Sequence, residues 1–220
     1  LNPSRVYSSY DEMFEKELQL PEDERIDVVV IVTPNNVHFD PTAKAIRAGF
    51  HVVLDKPLTL NYQEAKELYH IVSNSDRKFL LTHTYSGYPM IKQAKQMIEE
   101  GKLGKIHKVY VEYPQGWLYK LLEKEDNKQA EWRTDPKRSG AAGCMGDIGT
   151  HAENVAEYIT GLRSREICAD LGMVVEGRQL DDDGRPTGDL AGHLYGHRRW
   201  RGSTGGLRDD HGHRAGGRRT

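Results

Sequence analysis

Two short segments of this 220-residue chain carry ionisable side chains in an arrangement suited to chemistry. The segment HVVLDKP ends a run of apolar and β-branched residues with Asp55 and Lys56, which predicts a charge pair at the mouth of a buried strand. The segment GCMGDIGTH places Asp147 and His151 four residues apart in a helix-like stretch, where both side chains point from the same face. A lysine, an aspartate and a histidine are therefore candidates for a single polar site.

The elements that must position Lys56 alternate between strand and helix patterns. Buried-strand patterns occupy residues 27–32, 51–54 and 78–83, and helical patterns begin near residues 41, 61 and 89. This alternation predicts right-handed βαβ units around a parallel sheet, which makes the fold class α/β. The run DVVVIV at 27–32 is apolar after its first residue, so we expect that strand to be buried on both faces.

From residue 105 the pattern changes. Polar and apolar side chains alternate over 105–114, which predicts a strand of a second, more open sheet with one face covered. Residues 118–138 are charged and aperiodic, which indicates a segment that crosses a site rather than a core element. The next helix has an apolar stripe, which we expect to pack, and a polar stripe, which we expect to face a cleft. The apolar stripe comprises Ile148, Ala152, Val155 and Ile159. The polar stripe comprises Asp147, His151, Asn154 and Tyr158.

Charge is distributed unevenly along the chain, although the net charge is only −2. Residues 1–183 carry 23 Lys and Arg against 30 Asp and Glu, whereas residues 184–220 carry 8 Arg against 3 Asp. The second segment also holds 10 Gly and 4 His, a composition too poor in apolar side chains to offset its ordering entropy. We expect a disordered tail or an out-of-frame reading of a GC-rich gene; a natural Arg/Gly tail that binds nucleic acid or another acidic surface is the alternative.

Cysteine usage and hydropathy place the chain in a broad class. Cys144 and Cys168 are the only cysteines, so there is no disulfide framework, which suits a reducing compartment and a cytoplasmic protein. The longest apolar run, 28–32, is too short to cross a bilayer. We expect no membrane partner, and no nucleic-acid partner for the folded part.

Four segments in order, VTPNNVH, LDKP, EWRTDPKRSG and GDIGTH, resemble the glucose-fructose oxidoreductase, inositol dehydrogenase and MocA family of nicotinamide-dependent sugar and polyol oxidoreductases. The resemblance implies a partial Rossmann parallel sheet over residues 1–103, followed by an incomplete α/β (α+β) open-sheet domain over 104–183, before the tail at 184–220. It also implies NAD or NADP as cofactor, a small-molecule sugar or polyol as substrate, and a homo-oligomeric parent protein.

The same resemblance implies roles for individual residues. Lys56 would hydrogen-bond the reacting oxygen, His151 would move its proton, and Asp147 would orient His151 or hold a substrate hydroxyl. Tyr85 and Tyr113, with His151, would line the substrate pocket. The residues implied to contact the cofactor are Thr33, Pro34, Asn35, His38, Asp55, Lys56, His83, Trp132 and Arg133.

Several alternatives stay open at this point. Asp55 and Lys56 also fit a solvated loop pair, and Asp147 and His151 also fit a helix start or two ligands in a metal-dependent hydrolase. A sugar- or partner-binding protein without catalysis is a further possibility. The family's Gly-rich pyrophosphate turn, G-x-G-x-x-G, does not occur in the 220 residues, so the resemblance implies a chain without the family's first βα units.

Overall fold

The N-terminal part of the protein is built on a parallel sheet. The computed structural model describes residues 3–173, 178–179, 186–187 and 192–200. Three parallel strands lie in the order β1, β2, β3, with Val29 opposite Val52 and Leu54 opposite Leu81. Their bounds are Val28–Ile31, His51–Asp55 and Phe79–Thr82. The parallel α/β sheet predicted from the sequence is confirmed.

Four helices accompany this sheet, and local signals explain where they begin and end. They are α1 (Tyr10–Leu18), α2 (Phe39–Arg47), α3 (Tyr62–Ser73) and α4 (Pro89–Glu99). The Asn61 side chain caps α3 by accepting a hydrogen bond from the amide of Glu64 at 3.0 Å, while the Glu64 carboxylate reaches back to the amide of Leu60. Two residues after α2, Gly49 adopts φ +91°, a conformation that glycine takes without strain.

The core of this part lies on one face of the sheet. Helices α1, α2 and α3 cover that face through a cluster comprising Phe14, Val29, Ile31, Ala45, Ile46, Phe50, Val52, Leu54 and Leu68. On the opposite face Val28, Val30 and Leu80 are 45%, 62% and 58% exposed. The expectation that DVVVIV is buried on both faces is therefore wrong, because no described helix covers the second face.

A buried carboxylate ties α1 to the segments on either side of it. Glu17 is 1% exposed; it accepts hydrogen bonds from the guanidinium of Arg5, from the Tyr7 hydroxyl at 2.6 Å and from the amide of Ile26 at 3.0 Å. The hydrogen bond from Arg5 lowers the pKa of Glu17 to about 2. These bonds fix the start of the chain beside the segment that leads into β1.

The strand expected at residues 105–114 is not formed, which corrects the sequence prediction. Alternating side chains make an extended segment, but a strand also needs a neighbour that completes its ladder hydrogen bonds. Among the described residues no segment pairs with 105–114. The segment expected to be irregular, 118–138, is in fact partly helical and includes α5 (Lys128–Thr134) and α6 (Pro136–Ser139).

The C-terminal part adds a helix and two antiparallel strand pairs. A π-helical turn at Met145–Gly149 leads into α7 (Thr150–Thr160). The strands are β4 (Ser164–Met173), β5 (Arg178–Gln179), β6 (Pro186–Thr187) and β7 (Gly192–Trp200), and β4 pairs with β7 and β5 with β6. Residues 186–187 and 192–200 lie in the segment expected to be a disordered or out-of-frame tail, and there β6 and β7 pair with β5 and β4. The rest of the tail lies outside the described residues, so the expectation for this segment stays a prediction.

None of the helices that the structure describes is both long and apolar enough to cross a membrane.

Candidate active site

Lys56 and Asp147 form an ion pair that joins the sheet to the C-terminal part. Lys56 follows the last residue of β2, and its Nζ donates hydrogen bonds to Asp147 Oδ1 at 2.6 Å and to the Asp147 carbonyl at 2.7 Å. The side chains are only 13% and 20% exposed. The peptide bond from Lys56 to Pro57 is cis. The pair places an ammonium at the carboxyl end of the parallel sheet, where ligands bind in α/β folds.

Asp147 has a second cationic neighbour, Arg133. The Arg133 Nε lies 3.7 Å from Asp147 Oδ1, too far for a hydrogen bond, and this buried nitrogen has no hydrogen-bond partner among the described residues. The guanidinium carbon lies 4.1 Å from the ring centroid of Trp132 and 5.6 Å from that of Trp117. Two cations around one carboxylate leave positive charge in excess, which favours a negative charge developing on a ligand oxygen.

Two histidines and a tyrosine form a group beside the ion pair, and of these His151 is buried. The His151 ring centroid lies 5.8 Å from that of His83 and 4.5 Å from that of Tyr85. The Nδ1 atoms of both histidines are buried without a hydrogen-bond partner in the described part of the chain. Burial, reinforced by the charge of Lys56, lowers the pKa of His83 and of His151 below the ordinary 6.5. Both rings are therefore neutral at pH 7, and a neutral imidazole can accept a proton.

A tyrosine pair borders a shallow hollow next to His151. The Tyr85 and Tyr113 hydroxyl oxygens are 2.7 Å apart, and this hydrogen bond, with desolvation, raises the pKa of Tyr85 to about 12. The hollow measures about 210 Å³ and is also bordered by Ala152 and Val155. His151 of the polar stripe, which is only 6% exposed, borders the hollow together with these two residues of the apolar stripe. Residues of both stripes of α7 therefore meet at this hollow.

A larger cavity, about 410 Å³, is lined by Lys56. Loops after β1 and β2 form one wall and α5 forms the other. Seven of the nine residues implied to contact a cofactor line it: Thr33, Pro34, Asn35, Asp55, Lys56, Trp132 and Arg133. The structure thus brings together side chains that are up to 100 positions apart in the sequence.

The other two implied cofactor residues, His38 and His83, do not line this cavity. His38 is fully buried, and its ring nitrogens Nδ1 and Nε2 lie 2.8 Å from the carbonyl oxygen of Pro57 and 2.9 Å from that of Thr33. His83 stacks edge-on against His151 instead. In this arrangement neither ring faces the cavity.

The hydrogen bonds of the two carboxylates differ from the sequence expectation. Asp147 bonds to Lys56, not to His151, whose Nδ1 stays unpartnered among the described residues. Asp55 Oδ1 accepts hydrogen bonds from the amide of Lys56 at 2.9 Å and from the Thr82 hydroxyl at 2.7 Å. Asp55 therefore fixes the backbone of Lys56, while Asp147 fixes its ammonium.

Sequence reasoning missed the other cavity-lining residues of α5 and α6. Lys128, Gln129, Glu131 and Arg138 also line the cavity, and Gln129 Oε1 accepts a hydrogen bond from Arg133 Nη1 at 2.5 Å. The i, i+3, i+4 spacing of Gln129 with Trp132 and Arg133 is the signal that marks them as one helix face. A buried hydrogen bond of 2.8 Å from Asn35 Nδ2 to the Ser139 carbonyl closes the cavity at α6.

The donor set around Asp147 does not suit a metal ion. Within the described residues no group of three or more His, Cys, Asp or Glu side chains is placed to hold one. The Asp147 carboxylate, which the hydrolase alternative needs as a ligand, instead contacts the ammonium of Lys56. A divalent cation beside Asp147 would be repelled by that charge.

Titration of His83 and His151 should show the influence of Lys56 directly. We expect the imidazole signals of His83 and His151, followed by NMR, to titrate below pH 6.5, since burial and the Lys56 charge both lower these pKa values. In a Lys56→Met variant both midpoints should move up towards 6.5. Midpoints at or above 6.5 in the unmodified chain would contradict the described burial.

Comparisons with known proteins give a consistent result. The family model for the NAD-binding Rossmann fold of an oxidoreductase family matches residues 3–83, and the model for the GFO/IDH/MocA C-terminal domain matches residues 91–205. The second match runs past residue 184, into the segment whose composition suggested a separate tail. An uncharacterized oxidoreductase of Bacillus subtilis is 29% identical over 83% of this chain and 46% of its own length. The levoglucosan dehydrogenase of Pseudarthrobacter phenanthrenivorans is 33% identical over 64% of this chain and 34% of its own.

Solved structures are similar over much of the chain. An oxidoreductase from Sinorhizobium meliloti has a TM-score of 0.72 and 40% identity. The match covers 93% of this chain and 49% of the Sinorhizobium chain. An inositol dehydrogenase homolog from Azotobacter vinelandii, complexed with NAD+, has a TM-score of 0.75 and 34% identity. The match covers 80% of this chain and 44% of the Azotobacter chain. The chain spans about a third to a half of the length of these relatives.

Proposed function

The chain belongs to the GFO/IDH/MocA oxidoreductase family, and on that premise we propose that it acts on a sugar or polyol, exchanging hydride between a hydroxyl carbon and NAD or NADP. The observation that carries this proposal is the convergence of Lys56, Asp147 and His151 at the carboxyl end of the sheet, beside the cavity. An NAD-binding Rossmann family match covers the sheet itself.

The side chains around Lys56 supply what oxidation of a hydroxyl requires. The Lys56 ammonium donates to the reacting oxygen and stabilises the negative charge that develops as its proton leaves. The His151 imidazole, neutral because of its lowered pKa, accepts that proton. In carbonyl reduction the same imidazole, once protonated, returns the proton to the oxygen.

The cavity fits the nicotinamide end of the cofactor. Its walls combine the loop residues Thr33 to Asn35 with the Trp132 ring and with the buried Arg133 Nε, which lacks a hydrogen-bond partner in the described part of the chain. Trp132 and Arg133 would hold the cofactor from α5, and Thr33 to Asn35 from the sheet. When bound, NAD or NADP supplies the acceptor for the hydride that leaves the substrate carbon.

The hollow beside His151 offers an apolar surface for the C–H face of a sugar or polyol ring. The Tyr85 and Tyr113 rings border it, and their hydroxyl groups bond to each other; such side chains combine an apolar face with a polar tip. Levoglucosan dehydrogenase and the inositol dehydrogenase homolog are named for substrates of this class. We place the substrate hydroxyl between Lys56 and His151, with the rest of its ring over the tyrosines.

Calorimetric titration tests the proposal at its first step. NAD and NADP, each with and without a polyol such as inositol, would be titrated into the 220-residue chain and into a Trp132→Ala variant. We expect nicotinamide binding that the variant weakens, since the substitution removes one wall of the cavity. The activity of the chain and its homo-oligomeric state stay predictions. The absorbance of the reduced cofactor measures the activity, and light scattering measures the oligomeric state.

Two outcomes would favour the other functions. Binding of a saccharide without nicotinamide would support a non-catalytic binding protein. Stoichiometric zinc or manganese in the purified chain, lost in an Asp147→Asn variant, would support the hydrolase. Either result would contradict hydride transfer by this chain.

A further inference from the structure

The loops that carry Thr33 and Lys56 begin where the backbone hydrogen bonds between β1 and β2 end. The last paired residues of β1 and β2 are Ile31 and Leu54. Thr33 and Lys56 each lie two residues beyond that pair, and both line the cavity. Ladder hydrogen bonds therefore do not set the distance between the two loops, so another contact must do so.

The buried side chain of His38 makes that contact. Its ring lies between the Thr33 carbonyl, 2.9 Å from Nε2, and the Pro57 carbonyl, 2.8 Å from Nδ1. A carbonyl oxygen only accepts, so the ring nitrogen that carries the proton donates to one of the two carbonyls, the tautomer decides which, and the other carbonyl lies against the ring. Pro57 directly follows Lys56, so the ring fixes the backbone of the lysine from inside the fold.

His38 is itself well anchored. The Thr42 hydroxyl donates to the His38 carbonyl at 2.6 Å, and both residues have no exposed surface. Thr42 lies in α2, which packs on the core through Ala45 and Ile46. The ring is thus attached to a rigid element, and the two loops are attached to the ring.

We propose that His38 is a positioning residue, which holds Lys56 against Asp147 by bridging the loops after β1 and β2. The importance of this position for catalysis rests on the proposed function, but the position itself can be measured without turnover. His38 connects the two loops where the ladder bonds end, and it has no exposed surface and does not line the cavity. Its loss should displace Lys56 and leave the core intact.

A His38→Phe variant tests the proposal, because phenylalanine fills the space and removes both ring nitrogens. We expect an amine-acylating reagent, followed by mass spectrometry, to modify Lys56 slowly in the parent and at a rate approaching that of the exposed Lys66 in the variant. The NMR midpoints of His83 and His151 should rise as they do in Lys56→Met. If the enzyme is active, kcat should fall about 10- to 100-fold with little change in the KM for the cofactor.

Two further variants separate positioning from general destabilisation. Leu68→Val loosens the hydrophobic core, a cluster to which His38 does not belong, and should leave Lys56 protected. His38→Gln keeps an amide donor and should restore part of the protection. If Lys56 stays as protected in His38→Phe as in Leu68→Val, with unchanged histidine midpoints, His38 is only a packing residue and the proposal is overturned. Restored positioning without any turnover would instead count against the proposed function alone.

Discussion

Replacing Lys56 with methionine should lower kcat for polyol oxidation about 1,000-fold. Methionine keeps much of the length of the side chain but removes the ammonium that bonds Asp147 Oδ1 at 2.6 Å. The reacting oxygen then loses its cation, and a carboxylate only 20% exposed loses its closest partner. We also expect a loss of about 1–3 kcal/mol in the free energy of unfolding, as for an unpaired, partly buried charge.

The matched control is Lys44→Met, the same change on the outer surface of α2. Lys44 pairs with Asp11 and Asp40, but its side chain is 41% exposed, and such surface pairs contribute little. Turnover is followed by the absorbance of the reduced nicotinamide, and stability by chemical denaturation. Equal activity in the Lys56 and Lys44 variants would show that Lys56 is a structural ion-pair partner and not a catalytic residue.

Replacing His151 with glutamine should lower kcat/KM about 100- to 10,000-fold, since it removes the group that takes the proton. In the parent protein we expect the acid limb of the kcat/KM profile below pH 6.5, because the imidazole must be neutral and burial lowers its pKa. That limb should be absent from the residual activity of His151→Gln. The exposed His70 on α3 provides the control, as His70→Gln.

The same histidine should make stability depend on pH. Its folded-state pKa lies below the ordinary 6.5, so the folded state resists protonation more than the unfolded state does. The stabilising contribution is complete above pH 6.5 and is lost as pH falls towards the lower folded-state value. His151→Gln should therefore lose less stability than the parent on acidification through this range, whereas His70→Gln should behave as the parent does. Identical denaturation profiles for His151→Gln and the parent would contradict the burial of His151.

The positions of most helices and strands in the first hundred residues follow from local sequence signals. The strand at 51–54, the cap at Asn61 and the glycine at position 49 each act within a few residues, which is why their patterns suffice. The strand predicted at 105–114 failed for the opposite reason. Its ladder depends on a distant partner, and alternation alone does not supply one.

The tail illustrates the same dependence on distant partners. Gly, Arg and His predicted disorder beyond residue 184, yet Gly192–Trp200 pairs with Ser164–Met173. Composition measures what a segment can bury by itself. Composition takes no account of backbone hydrogen bonds to a strand elsewhere in the chain.

The sequence by itself determined which chemical groups this protein brings to its site, because Lys56, Asp147 and His151 stand in short motifs that residue type and order identify. Only the tertiary structure decided how those groups are connected. It paired Asp147 with Lys56 and not with His151, and it buried His38 between two loop carbonyls. Periodicity specifies the face on which a side chain lies, but the partner of that side chain depends on segments about 20 to 90 residues away, which meet only when the sheet and α7 pack.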